Sequence, residues 1–324
     1  MSQQHTQGFC IDRVCMLLGK AANKQAALNL DILPPEQQYI TWQQHHFAAS
    51  FVLPVKAKET LTERLTALLT LLFSQMDDEL VNETVYLVLP EFTGVDNQQL
   101  NALLQHLMRH FPSLLLSDTC RVFPYGSAGA LMALSMAQQQ LQQDANATVW
   151  LLAVDSQALD EVLQCYATAE VAGEPSEGAI ALRLSRTNAV VNVHTIASDA
   201  SPASSAEPEP AMAALFQHVA ANLPTTLNQL YLPDCGDVNA TERWLAQYHY
   251  LHGAVNQDTE HVFASYATGE LGACGGLYRL LHVYRGYQRE YLQGLTLQCE
   301  LSPALYRAIA VFSKAGTLVK NKEV

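Results

Sequence analysis

Two short segments place small residues where a helix is predicted to begin, and such positions can carry chemistry. The first is 125–129, Tyr-Gly-Ser-Ala-Gly, and the second is 268–276, Thr-Gly-Glu-Leu-Gly-Ala-Cys-Gly-Gly. Glycine at a helix entry lets a ligand or another backbone approach closely, and the first turn offers unpaired N–H groups to a carbonyl or an anion. The same glycines also permit tight packing of one helix on another, so both interpretations stay open.

Two side chains near the first segment are candidate nucleophiles for acyl transfer. Ser127 lies in a near match to the G-x-S-x-G elbow of serine hydrolases, although Tyr125 replaces the first glycine. Its possible partners follow in hydrolase order and are Asp155 or Asp234, then His252 or His261. Cys120 is followed by Arg121, whose charge would lower the pKa of the thiol. The alternative for Cys120 is a buried structural cysteine.

The cysteine and histidine residues do not form a pattern that binds metal. The seven cysteines are odd in number and spread along a chain of 324 residues, unlike a disulfide framework. The sequence has no CxxC pair, no HExxH helix and no Cys/His cluster with zinc spacing. We therefore expect no metal and no cofactor.

The elements that must position these residues alternate along the chain. Short β-rich runs are separated by helical patterns, which is typical of an α/β protein. The predicted strands are 13–18, 84–89, 149–154, 179–184, 190–196, 229–232, 295–300 and 307–312. Leucines repeat along one face of 61–75 and of 98–110, so both segments are predicted to be amphipathic helices.

A low-complexity stretch divides the chain. Segment 198–210 is rich in Ser, Ala, Pro and Glu and too poor in large apolar residues to pack, so it is predicted to be a flexible linker. It separates an N-terminal half, 1–197, from a C-terminal half, 211–324. Each half contains one of the two helix entries, which indicates a duplicated architecture.

Composition and charge exclude several classes of partner. The chain has 18 Lys and Arg against 31 Asp and Glu, a formal net charge of −13, so neither nucleic acid nor an anionic membrane surface is an expected partner. Its apolar runs are too short for a membrane span, and 1–7 lacks the features of a secretory signal, so we expect a cytoplasmic protein. Charged residues make up only 15% of the chain, which indicates additional burial in a protein interface.

The order of these signals resembles that of the thiolase-fold β-ketoacyl synthase superfamily, the condensing enzymes of fatty acid and polyketide synthesis. In the first half, 125–129 resembles the superfamily's nucleophile motif A-C-x-x-G. Segment 151–156 resembles the end of a strand with small residues followed by Asp or Ser, and 175–182 resembles the G-E-G-A strand. In the second half, 233–242 occupies the position of the superfamily's H-G-T-G-T motif, and 265–275 is similar to its K-S-x-x-G-H-x-x-G-A-A-G motif. Segment 308–316 resembles its closing strand. The resemblance covers roughly residues 80 to 320. It implies a five-layered αβαβα fold with two pseudo-symmetric halves.

The residues that carry the chemistry of that superfamily are absent from the matching places. In the superfamily a Cys attacks an acyl thioester, and two His residues stabilise the enolate formed from the malonyl group. In this chain the position that matches the catalytic Cys is Gly126, the position of the first His is Asp234 and the position of the second His is Glu270. Glycine has no nucleophile, and a carboxylate in an apolar pocket opposes a developing enolate. The resemblance therefore implies that none of these positions is catalytic.

A sequence with these losses is similar to the chain-length factors, the inactive partners of ketosynthases in bacterial type II polyketide systems. The resemblance implies that the chain forms a heterodimer with an active β-ketoacyl synthase through the central strands. It also implies that an acyl carrier protein binds to this heterodimer. The candidates for lining the acyl tunnel or the interface are Tyr125, Gly126, Ser127 and Gly129. Among such systems the resemblance favours the aryl polyene pigment type.

Three further possibilities stay open at this point. Segment 278–291 is rich in Tyr and Arg, and it is either a docking surface for an acidic acyl carrier protein or a solvated helix face. The chain is alternatively a divergent active acyltransferase or condensing enzyme that uses Cys120 or Ser127. It is alternatively a homodimeric scaffold that keeps only the fold.

Overall fold

The structure of the protein is a computed structural model. It describes residues 7–19, 28, 39–76, 80, 83–92, 97–115, 119–168, 173–201, 209–232 and 238–316. The strands are β1 (Gln7–Leu18), β2 (Tyr39–Trp42), β3 (His45–Ala48), β4 (Thr84–Val88), β5 (Cys120–Phe123), β6 (Val149–Ser156), β7 (Glu177–Ser185), β8 (Val191–Ala200), β9 (Leu227–Tyr231), β10 (Glu260–Val262), β11 (Leu295–Leu301) and β12 (Tyr306–Lys314). The helices are α1 (Leu61–Ser74), α2 (Gln98–His110), α3 (Pro112–Leu115), α4 (Ala128–Gln143), α5 (Asp160–Ala167), α6 (Pro210–Asn222), α7 (Val238–Ala246) and α8 (Ala273–Gln288), with short 3₁₀ turns at Tyr248–Leu251 and Ala264–Ala267.

The described strands form two sets of five with the same order and the same directions. One set runs β5-β4-β6-β7-β1, the other runs β10-β9-β11-β12-β8, and β2 and β3 form a separate hairpin. In each set the first three strands are parallel, and the fourth is antiparallel to both of its neighbours. The two sets are joined where β1 pairs with β8 over Gln7 to Phe9. This topology confirms the two pseudo-symmetric halves expected from the sequence.

Three apolar clusters separate the layers of the fold. Alternate residues of β6 enter different clusters: Leu151 and Ala153 face the middle, whereas Trp150 and Leu152 face outward. The middle cluster contains α4 and α8, which pack against each other between the two sets of strands. Leucines of α1 and α2 cover the first set, and apolar residues of α6 cover the second. The result is the expected αβαβα arrangement.

The helices of the outer layer begin where their sequence signals predict. Thr60 caps α1 by accepting the N–H of Glu63, and the Glu63 carboxylate accepts the N–H of Thr60 in return. The leucines at 65, 68, 69 and 72 then form the buried face of this helix. Among the described residues, no helix is long and apolar enough to cross a membrane.

The predicted linker, 198–210, differs from the structure at both ends. Residues 198–200 belong to β8, where they pair with β12, and Pro210 begins α6. Residues 198–200 are exposed, and their backbone pairing with β12 forms the strand without large apolar side chains, so composition alone hid it. Residues 202–208 lie outside the described part. The division into halves 1–197 and 211–324 stays a proposal, and the strand order favours a second set that starts with β8.

Candidate functional site

A cavity of about 530 Å³ lies at the N-terminal ends of the two central helices. The residues that line it include Leu61, Pro90, Glu91, Gly126, Ser127, Asp155, Ser156, Gln157, Leu159, Glu161, Val162, Cys165, Arg243, Glu270, Gly272, Ala273, Leu301, Ser302, Pro303 and Arg307. The fold therefore brings Gly126 and Glu270 to one cavity from two different halves of the chain. Asp234, the third position expected there, lies outside the described residues.

The entry to α4 is held by a residue from the second half. Gly126 has φ +58°, a conformation that side chains disfavour, and a Cβ atom there would lie 2.9 Å from Ser302 Oγ. The Ser302 hydroxyl donates to the carbonyl of Tyr125 at 2.5 Å and accepts the N–H of Ala128 at 3.0 Å. The first turn of α4 is thus capped by the protein itself.

The entry to α8 is capped by two carboxylates. Asp155, at the end of β6, accepts the N–H of Ala273 at 2.6 Å, and Glu270 accepts the N–H of Gly272 at 3.1 Å. Gly272 has φ +55°, and a Cβ there would lie 2.1 Å from Asp155 Oδ2. Negative groups at a helix N-terminus are stabilising, and these two satisfy donors that would otherwise be available to a ligand.

The carboxyl group of Asp155 is isolated from solvent. Its side chain is buried, and the burial raises its pKa to about 7 although the N–H groups of Ala273 and Ser156 oppose the shift. Glu270 is held differently, since its backbone pairs with the segment that precedes β7: its N–H donates to the carbonyl of Glu174, and its carbonyl accepts from Ser176. Both acids are therefore fixed in place.

The two central helices approach each other closely at this end. A Cβ on Gly276 of α8 would lie 2.4 Å from the carbonyl oxygen of Ser127 and 2.6 Å from the Cβ of Ala130. Only glycine fits this contact. The packing interpretation is therefore correct for Gly276, whereas Gly126 and Gly272 are required by their backbone conformation.

The cavity lacks an activated nucleophile among its described residues. Ser127 donates its hydroxyl hydrogen to the carbonyl of Leu301 at 3.2 Å, and no described histidine lines the cavity. His261, a possible partner of Ser127, instead pairs with the hydroxyl of Tyr248 at 2.8 Å. The thiol of Cys165 lies at the cavity but bonds only to a carbonyl of its own helix. This arrangement does not contain the serine–histidine pair that hydrolase chemistry needs.

Cys120 is also unsuited to nucleophilic attack. It lies on β5, apart from the lining of the cavity, and burial raises the pKa of its thiol to about 11. The expectation that Arg121 lowers this pKa is wrong, because the Arg121 guanidinium contacts the sulfur of Met136 instead. The structure supports the alternative of a structural thiol.

The other two tunnel candidates do not reach the cavity. The ring of Tyr125 packs on that of Tyr306, with centroids 4.6 Å apart. A Cβ on Gly129 would lie 3.0 Å from Val88 and 3.1 Å from the carbonyl of Phe123, so this glycine allows α4 to pack on the first sheet. Of the four candidates, Gly126 and Ser127 line the cavity.

The Tyr- and Arg-rich segment 278–291 is mostly core rather than a docking surface. Its tyrosines at 278, 284 and 287 are buried, and Arg279 is buried in an ion pair with Glu300. The helical period turns these residues inward between the sheets, which the local sequence did not reveal. An extended surface for the acyl carrier protein is therefore not formed by this segment.

Two arginines at the cavity were missed by sequence reasoning. Arg307 is buried at the start of β12 and forms an ion pair with Glu209 at 2.9 Å, and it also donates to the carbonyl of Ser302. Arg243 lies on α7 and has a buried Nε atom without a hydrogen-bond partner. Neither residue belongs to a motif, so only their positions in space identify them.

Comparison with known proteins identifies the fold. No family model and no curated protein matches the sequence. The structure resembles the ishigamide ketosynthase/chain length factor, with a TM-score of 0.61, 13% identity and coverage of 95% of this chain and 100% of that chain. It also resembles the complex of the ketosynthase ApeO with its chain length factor ApeC from Xenorhabdus doucetiae, with a TM-score of 0.59, 12% identity and coverage of 97% and 100%.

A third similar structure is a type II polyketide ketosynthase with its acyl carrier protein, AntDE:AntF, described as bound to the hexaketide. The TM-score is 0.61 at 11% identity, and the match covers 95% of this chain and 99% of that chain. The fold is therefore that of the thiolase-like ketosynthases, as the sequence resemblance implied. At these low sequence identities the similarity shows the fold, and the activity has to be inferred from the residues of the site.

Proposed function

We propose that this chain is a non-catalytic, ketosynthase-like subunit of the chain-length-factor kind. It would pair with an active β-ketoacyl synthase in type II polyketide or fatty acid synthesis and shape the acyl tunnel of the pair. The aryl polyene type of system and a cytoplasmic location, both expected from the sequence, remain part of this proposal.

The observation that carries the proposal is the internal capping of both central helices. A condensing enzyme needs a nucleophile and free donors at this place. In this chain Gly126 occupies the nucleophile position, while Ser302 and Asp155 take the N–H groups of Ala128 and Ala273. A site whose donors bond to the protein's own oxygens supports a structural role better than a catalytic one.

A second observation supports pairing with another chain. Among the described residues β5 pairs only with β4, at the edge of the first set. The pairing of β4 with β5 turns the backbone groups of Arg121 inward, and those of Cys120 and Val122 therefore point away from the sheet. The central strands, through which the sequence resemblance implied pairing, each already have two neighbours. An edge strand with unpaired N–H and C=O groups is the better site for adding the strand of a partner.

The competing enzyme hypothesis has less support. The raised pKa of Cys120 and the bond from Ser127 to a backbone carbonyl both disfavour nucleophilic attack. Intact-mass measurement after incubation with an acyl thioester tests it directly. Acyl mass that is acquired by the chain and lost in Cys120→Ala or Ser127→Ala would favour the enzyme over the proposal.

The proposal is tested by native purification of the tagged full-length chain from its own host. We expect an equimolar ketosynthase that carries the Cys-His-His set to co-elute. A homodimer without such a partner would contradict the heterodimer and favour the scaffold. Reconstitution then tests the tunnel: substitutions at Gly126 or Ser127 that leave the pair assembled should change product length, and an unchanged product would reject the tunnel role.

A further inference from the structure

The cavity at the central helices contains one cation whose charge the described residues do not neutralise. Arg243 is half-buried on α7, its Nε atom is buried without a hydrogen-bond partner, and none of the ion pairs in the described part includes it. A buried guanidinium donor without an acceptor costs free energy unless a further group satisfies it. The Nε atom itself is enclosed, but Arg243 lines the cavity, so a ligand there can meet the charge of its guanidinium.

The other charged residues around the cavity are already satisfied, apart from one at the surface. Arg307 is paired with Glu209. Among the acids, Glu91 accepts the N–H groups of residues 304 and 305, and Asp155 and Glu270 accept those at the start of α8. The remaining acid, Glu161, is exposed to solvent. The charge left for a ligand is therefore the single positive charge of Arg243.

The volume of the cavity, its apolar lining and the shape of the guanidinium group indicate which class of ligand fits. Side chains from three elements and three loops contribute apolar surface, namely Leu61, Pro90, Leu159, Val162, Leu301 and Pro303. A volume of about 530 Å³ is within the range of small-molecule sites. A planar guanidinium matches a carboxylate with two parallel hydrogen bonds. A phosphate dianion would instead meet the four acids of the lining with only one unpaired cation.

We propose that this cavity binds a free organic monocarboxylate with an apolar body, and that Arg243 holds its carboxylate. The inference goes beyond the heterodimer and does not depend on it. In this role the site takes a free acid rather than an acyl thioester, and no covalent step is involved. Arg243 acts as a binding residue, and apolar residues of the lining such as Val162 and Leu159 contact the apolar body.

The test is isothermal titration of the full-length protein, in the assembly in which it purifies, with octanoate, octanol and inorganic phosphate as probes. We expect octanoate to bind, and octanol and phosphate to bind at least tenfold more weakly. Arg243→Met should weaken octanoate binding at least tenfold, and Arg243→Lys should weaken it less, because lysine keeps the charge but loses the planar fork.

Two further variants keep the test decisive. Arg109→Met removes an exposed arginine of α2 away from the cavity and should leave octanoate binding unchanged. Val162→Phe fills the cavity from α5 and should weaken binding even if the Arg243 variants fold poorly. Absence of octanoate binding, equal binding of octanol, or unchanged binding by Arg243→Met would each overturn the inference. Any of these with the ketosynthase still co-eluting would leave the proposed function intact.

Discussion

The Oδ2 atom of Asp155 lies 2.6 Å from the backbone nitrogen of Ala273, so a carboxylate from the first half of the chain caps the central helix of the second half. The other oxygen of Asp155 accepts the N–H of Ser156 at 2.7 Å. This contact ties β6 to the start of α8, and it leaves a buried acid at the centre of the fold. Its proton equilibrium should therefore be visible in the stability of the whole protein.

The stability of the protein should depend on pH through Asp155. Burial raises the folded-state pKa of this acid from 3.8 to about 7, so the folded state holds a proton that the unfolded state has already released. Its contribution is present at low pH and is lost as the pH rises from about 4 to about 7. Asp155→Asn should reduce the fall in Tm between pH 5 and pH 8.

The matched control for this measurement is Asp258→Asn, which neutralises an exposed acid. It should retain the pH dependence of the parent protein. If Asp155→Asn shows the same dependence as Asp258→Asn, the buried carboxyl group is not the source of the effect.

The conformation of Gly126 should be costly to replace. Gly126→Ala places a side chain at φ +58° and within 2.9 Å of Ser302 Oγ, so we expect a loss of about 1–2 kcal/mol from the conformation, with an added contribution from the contact. Urea denaturation measures the free energy of unfolding. A loss of this kind would mean that the backbone conformation at position 126 requires glycine, in addition to the limited space for a side chain.

Two other glycines separate the cost of the backbone conformation from the cost of the steric contact. Gly316 has φ +79° with open space around its Cβ direction, so Gly316→Ala carries the conformational cost without a contact. Gly253 has neither constraint, and Gly253→Ala should be neutral. A Gly126→Ala variant that is as stable as Gly253→Ala would disprove the strain at the helix entry.

Pairing with a partner strand should depend on the outward N–H of Val122. Val122→Pro removes this donor while β5 keeps its inward bonds to β4, and proline is tolerated at an edge strand. We expect ketosynthase co-elution to fall at least tenfold, with the Tm of the isolated chain nearly unchanged. Val122→Ala keeps the N–H and should retain the partner. Full retention by the proline variant would exclude β5 as the interface.

Cys120 should be unreactive in the folded protein. A thiol pKa of about 11 leaves far less thiolate at pH 7.5 than an ordinary cysteine has, so alkylation by iodoacetamide should be at least about a hundredfold slower than in the unfolded chain. Peptide mass spectrometry gives the rate for this residue. Rapid labelling of Cys120 in the native state would revive its candidacy as a nucleophile.

Much of the fold was predictable because its signals are local. The leucine stripe of α1, the capping box at Thr60 and the apolar run of β6 each lie within one element, and the structure has helices and strands there. β5 was missed because it has only four residues, and β10 because it has three. Both are edge strands that gain stability from a single neighbour.

The site was predicted only in part. Gly126 and Glu270 were matched by motif order, and the fold brings both to one cavity. The internal caps were not predictable, since Asp155 and Ala273 are 118 positions apart, and Ser302 and Ala128 are 174 apart. Arg243 belongs to no motif, and the burial of Tyr284 and Tyr287 differs from both alternatives left open for segment 278–291, a docking surface or a solvated helix face.

The sequence by itself determined the α/β class, the duplicated order of strands and helices, and the small residues at the two helix entries. These properties follow from side-chain period and residue type along the chain. Only the tertiary structure decided which oxygen caps which helix, which arginine keeps an unpaired donor and which cysteine is buried. Those outcomes depend on groups from distant parts of the chain, because burial and hydrogen bonding are set by neighbours in space.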